Sequence, residues 1–497
     1  MSAHRTPGPR APDQLRNAWA VALAAIAFLT LWRSHVAASL PFSVDEAYYV
    51  AWSKTLDWGY WTKPPLIAWA IALARGVCGE TAGCVRSVGL TAFPLTSLVL
   101  FVLARRMSAS PWTACGVSIA FASLPLSSFY GIAATTDTLL LLCWSCAMLF
   151  LHMALSGVRW AWLPLGVALG LGVLAKYTML VFGVSALWAM LHPTWRKQFL
   201  QAWPYLGALV AVLVFSPNVW WNFTHGMPTF SHTADISQGS ERYGLHWDAL
   251  LTFWGEQLLV GSPVLVVGLC FWLLQRRWRL NEDAWFLTAF AVPMLMVISL
   301  QALSARSNAN WAAPAYVAVT LIGMLYIWNN SRIALTILFG SHALFAAVLY
   351  HFDTLVAQPL NLPPGVHSDP YWAMRNWPDF NQAIQTRLEG KLPRDAWRIA
   401  SDDRAVLAQV QAQLRLPAGA ALGWQHQAQP QNHFDQRFRL PTELNQPVLL
   451  ITVASDDEVR RFYPKAVFVE RLEVRLIPEA PLDYRLWWLG ITNRWTQ

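Results

Sequence analysis

The residues best suited to chemistry lie in Ser43–Leu66, SVDEAYYVAWSKTLDWGYWTKPPL. Asp45 and Glu46 form an adjacent carboxylate pair, and Lys63 precedes two prolines that fix the backbone after it. A carboxylate can take a proton from an attacking hydroxyl or orient an acceptor, and a fixed cation can stabilise a phosphate leaving group. The same residues admit a structural reading. Ser43-Val-Asp-Glu46 matches a capping box, in which Glu46 satisfies the helix start and Asp45 gains from its positive end. Lys63 can extend its charge toward a membrane surface while its stem lies on apolar neighbours. Tyr49, Trp52 and Leu56 follow Asp45 at helical spacing, which predicts a helix lying on a bilayer with its aromatic face at headgroup depth.

Further candidates sit at the edges of apolar runs. Asp137, in Ala134-Thr-Thr-Asp-Thr138, heads one of them. Thr136 can cap that helix without it, and an ionisable group at a span's edge is a functional candidate. Lys176 falls between two short apolar segments with no acidic neighbour in sequence. It needs a partner from elsewhere, and a phosphate would serve. Arg86 heads another apolar segment and reads either as an interface anchor or as a phosphate ligand. Residues 223–248, with His225, His232, Asp235, Glu241, Arg242 and Tyr243, are long enough to act as a lid, with Arg242 and Tyr243 the candidate contacts. Their histidines lack metal-ligand spacing on one helix, which argues against zinc. A divalent cation shared by Asp45 and Glu46 stays open. Arg306, Asn308, Asn310 and Trp311 close the outer end of a later span.

These residues need a scaffold, and composition says which kind. The chain is 55% hydrophobic and only 13% charged, with 29 tryptophans, so its elements are those of a membrane protein. Apolar runs read against breakers give about eleven spans, near 18–38, 86–106, 111–131, 137–155, 161–175, 177–191, 203–222, 249–274, 284–303, 310–329 and 332–351. The first lacks a clear cleavage site and reads as an uncleaved anchor. With the N-terminus cytoplasmic, Arg105-Arg106, Arg159, Arg196-Lys197, Arg276 to Arg279 and Arg332 all fall on the cytoplasmic side. Residues 39–85, the turn before Asp137, the Lys176 junction, 223–248 and 304–309 then share the outer face. The segments at 161–175 and 177–191 read as half-length helices meeting at Ala175-Lys176-Tyr177.

The expected fold is therefore a polytopic α-helical membrane protein with a small C-terminal α/β soluble domain. Its boundaries are 1–352 for the membrane domain with its outer loop 39–85, 353–376 for a linker and 377–497 for the outer domain. In the latter, Ala405–Leu414 reads as a helix, and 447–453 and 466–470 read as strands. Four cysteines lie in apolar segments, whereas Cys78 and Cys84 bracket a short loop where a disulfide or two free thiols are both admissible. The net charge of +8 forms no nucleic-acid stripe, which sets that class of partner aside.

Asp45-Glu-Ala-Tyr-Tyr49, Trp58-Gly-Tyr-Trp-Thr-Lys-Pro-Pro-Leu66, Val85-Arg86, Thr136-Asp137, Ala175-Lys-Tyr177 and Asn310-Trp311 occur in one order. In that order they resemble the GT-C superfamily of polyprenyl-phosphate-sugar glycosyltransferases. The nearest branch is similar to bacterial lipid A aminoarabinose transferases and lipopolysaccharide or lipid A galacturonosyltransferases, relatives of protein O-mannosyltransferases. The resemblance covers roughly residues 15–330. It implies a GT-C fold in a bacterial inner membrane, with the active site and C-terminal domain on the periplasmic face. It also implies a membrane-lipid environment, a polyprenyl monophosphate sugar donor, and a glycan or glycolipid acceptor such as lipid A. Transfer would invert the anomeric centre in one displacement. By position Asp45 would be the catalytic carboxylate with Glu46 beside it. Lys63 and Lys176 would hold the carrier phosphate, with Arg86, Asp137 and Tyr177 on the donor side. The aminoarabinose branch often carries an acidic residue before Lys-Pro-Pro, implicated in metal binding. Thr62 stands there, which weakens a metal and points toward the galacturonosyl-like side.

Two other classes compete. A transporter of a lipid-linked or small solute would also have many spans, but no paired halves appear and the ionisable residues gather on one face. An assembly subunit would make the C-terminal domain the working part. Turnover of polyprenyl-phosphate sugars separates the enzyme from both.

Overall fold

Each apolar run becomes a helix or a broken pair of helices in the computed structural model. It describes residues 11–238, 244–279, 281–305, 307–328, 330–363, 368–389, 391–426, 429–477 and 480–490. In chain order the helices begin with α1 Ala11–Ser39, α2 Val44–Ser53, α3 Leu66–Cys78 and α4 Ala82–Arg106. There follow α5 Pro111–Ser123, α6 Pro125–Tyr130, α7 Thr136–Leu155, α8 Trp162–Ala175 and α9 Val181–Met190. The apolar series closes with α10 Ala202–Thr224, α11 Pro228–Gln238, α12 Trp247–Gly261, α13 Pro263–Leu274, α14 Glu282–Ser304, α15 Ala315–Ile327 and α16 Arg332–Tyr350. The C-terminal region adds α17 Trp372–Arg375, α18 Trp377–Leu388, α19 Arg404–Gln413, α20 His433–Arg437 and α21 Asp456–Phe462.

Among the described residues, α1, α4, α7, α10, α14 and α16 are long and apolar enough to cross a membrane, and α12 with α13 would make a seventh if the pair is one span. The other apolar runs are cut by local breaks. Pro125 opens α6 directly after α5, Lys176 is extended between α8 and a 3-10 turn at Tyr177–Leu180, and Ser262 takes a positive φ where α12 and α13 bend by 111°. The run at 249–274 is thus not one straight helix.

The chain divides into two compact units, one of residues 1–36 and 87–350, the other of residues 37–86 and 351–497. In the first unit, α8 and α10 cross on glycine. A Cβ on Gly166 would lie 2.3 Å from the Gly207 carbonyl oxygen, and one on Gly207 would lie 2.7 Å from the Trp162 carbonyl oxygen. Small residues at such a crossing let two apolar helices approach backbone to backbone. Arg33, buried, donates from Nε to Tyr350 Oη at 3.0 Å and from Nη2 to the Ala122 carbonyl at 2.9 Å. Tyr316 Oη donates to Gln257 and packs on Gly261 beside the bend.

The second unit is built on a five-stranded sheet of order β2-β1-β3-β5-β4. Its strands are β1 Ile399–Ser401, β2 Ala421–Gly423, β3 Val448–Thr452, β4 Val467–Ile477 and β5 Ala480–Leu489. β1 pairs in parallel with β2 and β3, Ile399 lying opposite Ala421 and Leu449, and β5 runs antiparallel to β3 and β4. β3 is buried along its whole length, as its uninterrupted apolar sequence requires of a central strand. Trp424, Val459 and Trp487 share its core cluster. The helix expected at 405–414 and the strands expected near 447–453 and 466–470 are present as α19, β3 and β4.

One expectation is overturned in this unit. The aromatic face of α2 lies against protein: Tyr48, Tyr49 and Trp52 are buried, Tyr48 packing tilted against Phe434 and Trp52 stacking on Tyr60. Tyr48 Oη accepts from the His433 amide at 2.8 Å, and Gln409 Nε2 donates to the Phe42 carbonyl at 2.9 Å. The exposed apolar side chains of this stretch are instead Leu56, Trp58, Leu73 and Val77. Cys78 and Cys84 form a disulfide around the turn that carries Glu80. Burial alone would raise Glu80, but Lys54 and Arg75 beside it outweigh that and hold its carboxyl below the usual range.

Candidate active site

The two adjacent carboxylates of the first outer stretch have separate fates. Ser43 Oγ accepts from the Glu46 amide at 3.2 Å, and Glu46 Oε2 accepts from the Ser43 amide at 3.1 Å, closing the capping box. Glu46 also takes Arg86 Nε on Oε1 at 2.9 Å and Arg86 Nη2 on Oε2 at 2.8 Å, both side chains fully buried. The other Arg86 donors go to the carbonyls of Ala37, Leu40 and Pro41. All five guanidinium N–H groups are therefore engaged, which leaves none for the phosphate contact expected of Arg86. Glu46 has no lone oxygen to offer as a base or as a metal ligand.

Asp45, one residue earlier, is exposed in the first turn of α2, and no partner for its carboxylate occurs among the described residues. The helix that carries it is otherwise buried, so the carboxylate is free while its backbone is fixed. Lys63 is half-buried at the end of a turn in which its carbonyl accepts from the Tyr60 amide at 3.2 Å. Pro64 and Pro65 are buried behind it, and α3 starts at Leu66.

In the other unit, Asp137 and Lys176 meet. Thr135, rather than Thr136, is the N-cap residue of α7, which puts Asp137 in the first turn with its side chain aimed elsewhere. Its Oδ1 accepts from Lys176 Nζ at 2.7 Å and its Oδ2 from Asn310 Nδ2 at 2.8 Å. The carboxylate is 7% and the lysine 13% exposed, so the pair is largely desolvated, with each Asp137 oxygen satisfied. The partner that Lys176 lacked in sequence is thus Asp137. Tyr177 turns away toward α10: its Oη donates to Asn218 Oδ1 at 2.8 Å and accepts from Asn222 Nδ2 at 3.3 Å, and its ring stacks on Phe230.

Sequence reasoning does not single out Asn218 and Asn222, and places Asn310 only at the outer end of a later span. Asn218 and Asn222 stand four apart in an apolar span, the spacing that puts two amides on one helix face, and that was the available signal. Arg242, Tyr243, Glu241 and Arg306 lie outside the described residues. A divalent ion on Asp45 and Glu46 does not fit this donor set, because Glu46 is fully engaged. Among the described residues no three His, Cys, Asp or Glu side chains gather as a metal site.

Residues 62–221 match the family described as dolichyl-phosphate-mannose-protein mannosyltransferase. Over 445 residues, 85% of this chain and 89% of the relative, the chain is 31% identical to lipid A galacturonosyltransferase RgtD of Rhizobium johnstonii. It is 30% identical over 192 residues to the undecaprenyl phosphate-α-4-amino-4-deoxy-L-arabinose arabinosyl transferase of Pseudomonas paraeruginosa, 35% of each chain. In structure it is similar to ArnT from Cupriavidus metallidurans bound to undecaprenyl phosphate, with a TM-score of 0.65, 16% identity, and coverage of 95% of this chain and 98% of that one. The carboxylates, lysines and order of motifs, together with a likeness that runs along most of both chains, place the protein: it belongs to the GT-C polyprenyl-phosphate-sugar glycosyltransferases related to lipid A modification.

Proposed function

We propose that this glycosyltransferase moves a galacturonosyl-like sugar from a polyprenyl monophosphate to a lipid A-type acceptor on the periplasmic face of the inner membrane. The observation that carries the reading is Lys176. Asp137, itself held by Asn310, binds its side chain, and among the described residues its ammonium donates to Asp137 alone, so two of its three N–H groups remain for a phosphate. A cation fixed before the reaction stabilises charge as it develops on the departing phosphate, without reorganising at that moment. Lys63, by the Lys-Pro-Pro match, is assigned the same task.

The displacement balances simply. An acceptor oxygen forms a bond to the anomeric carbon as the bond from that carbon to the phosphate oxygen breaks. The electron pair leaves with the polyprenyl phosphate, and the configuration inverts. Where the acceptor is a hydroxyl, Asp45 takes its proton, and the exposed carboxylate on a fixed backbone supports that role. A phosphate acceptor is already ionised and needs only orientation. Thr62 before Lys63 and the long likeness to the galacturonosyltransferase favour the uronosyl donor over aminoarabinose. The arginine-rich loops support the periplasmic orientation, and the apolar runs support about eleven membrane-embedded segments, several of them too short or too bent to span alone.

The test is mass spectrometry of lipid A and core glycans from a strain lacking the gene, complemented with wild type, Asp45→Ala or Lys176→Met. A uronosyl unit that disappears and returns only with wild type supports the reading. Full restoration by both variants at normal expression overturns the residue assignments, and loss of a different sugar overturns the donor.

A further inference from the structure

Resting on that reading, the geometry points to Tyr177, held by Asn218 and Asn222, as a positioning residue for Lys176. By sequence Tyr177 is an obvious phosphate ligand, an aromatic hydroxyl beside the key lysine. The structure gives its hydroxyl another occupation. The proton goes to Asn218 Oδ1 at 2.8 Å, and an oxygen lone pair receives Asn222 Nδ2 at 3.3 Å. The same Asn222 amide donates to the Asn218 carbonyl at 3.0 Å, while its Oδ1 accepts from the Thr229 amide at 3.2 Å. Both asparagines are fully buried. A buried amide with its donors and acceptors satisfied has few alternative orientations, so it fixes what it binds.

What it fixes is the one irregular point between α8 and α9. Lys176 is extended, with φ −162° and ψ 134°, and Tyr177 opens the 3-10 turn. Successive side chains along extended backbone leave on opposite sides, so Lys176 reaches α7 while Tyr177 reaches α10. The dipeptide is pinned from both sides: Asp137 takes the ammonium and the Asn218–Asn222 pair takes the phenol. The glycine crossing of α8 on α10 brings the second anchor within reach. Releasing the phenol would leave the junction held by the Lys176 side chain and by backbone hydrogen bonds to Gly172 and from Met179, none of which fixes the side toward α10, and the direction of the uncommitted N–H groups would be less closely set. Tyr177 therefore acts on the phosphate through Lys176 and does not touch it.

The experiment uses the full chain in lipid nanodiscs and compares binding of undecaprenyl phosphate with binding of undecaprenol, which lacks the phosphate. Tyr177→Phe keeps the ring and removes the hydroxyl. Losing the hydroxyl's hydrogen bonds to Asn218 and Asn222 is expected to weaken undecaprenyl phosphate binding about tenfold and to leave undecaprenol binding unchanged. In a Lys176→Met background the same substitution should have no further effect, because the two residues act through one group. Asn222→Ala, the second variant, should repeat this pattern if Tyr177→Phe fails to fold. Equal loss for both lipids, or full additivity with Lys176→Met, overturns the inference and assigns Tyr177 to packing alone. A wild-type protein that binds the two lipids equally overturns the carrier-phosphate reading, and this inference with it. A wild type that discriminates while neither variant loses discrimination overturns only the inference.

Discussion

At the scale of single residues, two neighbours with the same functional group do opposite work because one is solvated and the other is not. Asp45→Asn is expected to cut glycosyl transfer by about a hundredfold or more where the acceptor is a hydroxyl. It should leave the unfolding temperature nearly unchanged, because neither the capping box nor the Arg86 pair involves it. Glu46→Ala should do the reverse. It strands a fully buried guanidinium, a change that costs about 3–5 kcal/mol, and its mark is poor yield and a lower melting temperature in detergent. Comparing the transfer rate per folded molecule for the two variants separates the roles. The capping box and the acidic pair were legible in Ser43–Glu46, since both depend on spacing of a few residues. The Arg86–Glu46 pair was not, because 40 residues separate its members and nothing local ties them. The same holds for Asp137 with Lys176 and Asn310, separated by 39 and 173 residues.

At the scale of elements, length and hydropathy located the long apolar helices but missed α3 and α11, which lie in stretches read as outer loops, and most of the short C-terminal helices, while side-chain environment escaped them throughout. The break at Lys176 was readable because a charge interrupts an apolar run; the 111° bend at Ser262 was not, as serine is an ordinary residue in such a helix. The aromatic face of α2 looked like a membrane-surface face because apolar periodicity shows that a face is covered, and not by what. The glycines of α8 carry a prediction of their own. Gly166→Val would drive a side chain into the Gly207 carbonyl and push α8 from α10. Overpacking of this kind costs about 1–3 kcal/mol, and although Gly166 is near the start of α8, a shift of the helix as a body reaches Lys176 at its other end. Undecaprenyl phosphate binding should weaken along with thermal stability. Gly183→Ala in α9, which would meet nothing within 4 Å, is the matched control and should change neither.

At the scale of the whole molecule, residues 37–86 and 351–497 fold as one body, although about 260 residues of membrane helix separate them in sequence. Lys54 donates to the Leu416 carbonyl at 2.6 Å and Arg437 to Asp57 Oδ2 at 2.6 Å, beside the Tyr48 and Gln409 bonds. Deleting residues 351–497 should therefore leave residues 40–80 open to limited proteolysis, with cleavage at sites silent in the full chain. The unit also carries a pH dependence. His433 is buried among Tyr48, Trp52, Tyr60, Phe434 and Phe438, and burial, with Arg437 adding to it and Asp57 opposing, pushes its imidazole down to about 3. An unfolded histidine titrates near about 6.5. Between those values the unfolded chain binds the extra proton, so stability rises with pH across that window and is complete above it. As pH falls below the unfolded value, the unit loses about 1.4 kcal/mol per pH unit. Hydrogen exchange of α2 and β3 in the full chain should accelerate markedly from pH 7 to pH 5 after correction for the intrinsic rate. His433→Leu, which cannot take up a proton, should remove this excess whatever it does to stability at neutral pH. An unchanged slope in that variant would rule out His433 as its source, and the carboxylates Asp402 and Asp435 could not replace it, because burial raises them and a carboxyl raised in the folded chain adds stability as pH falls.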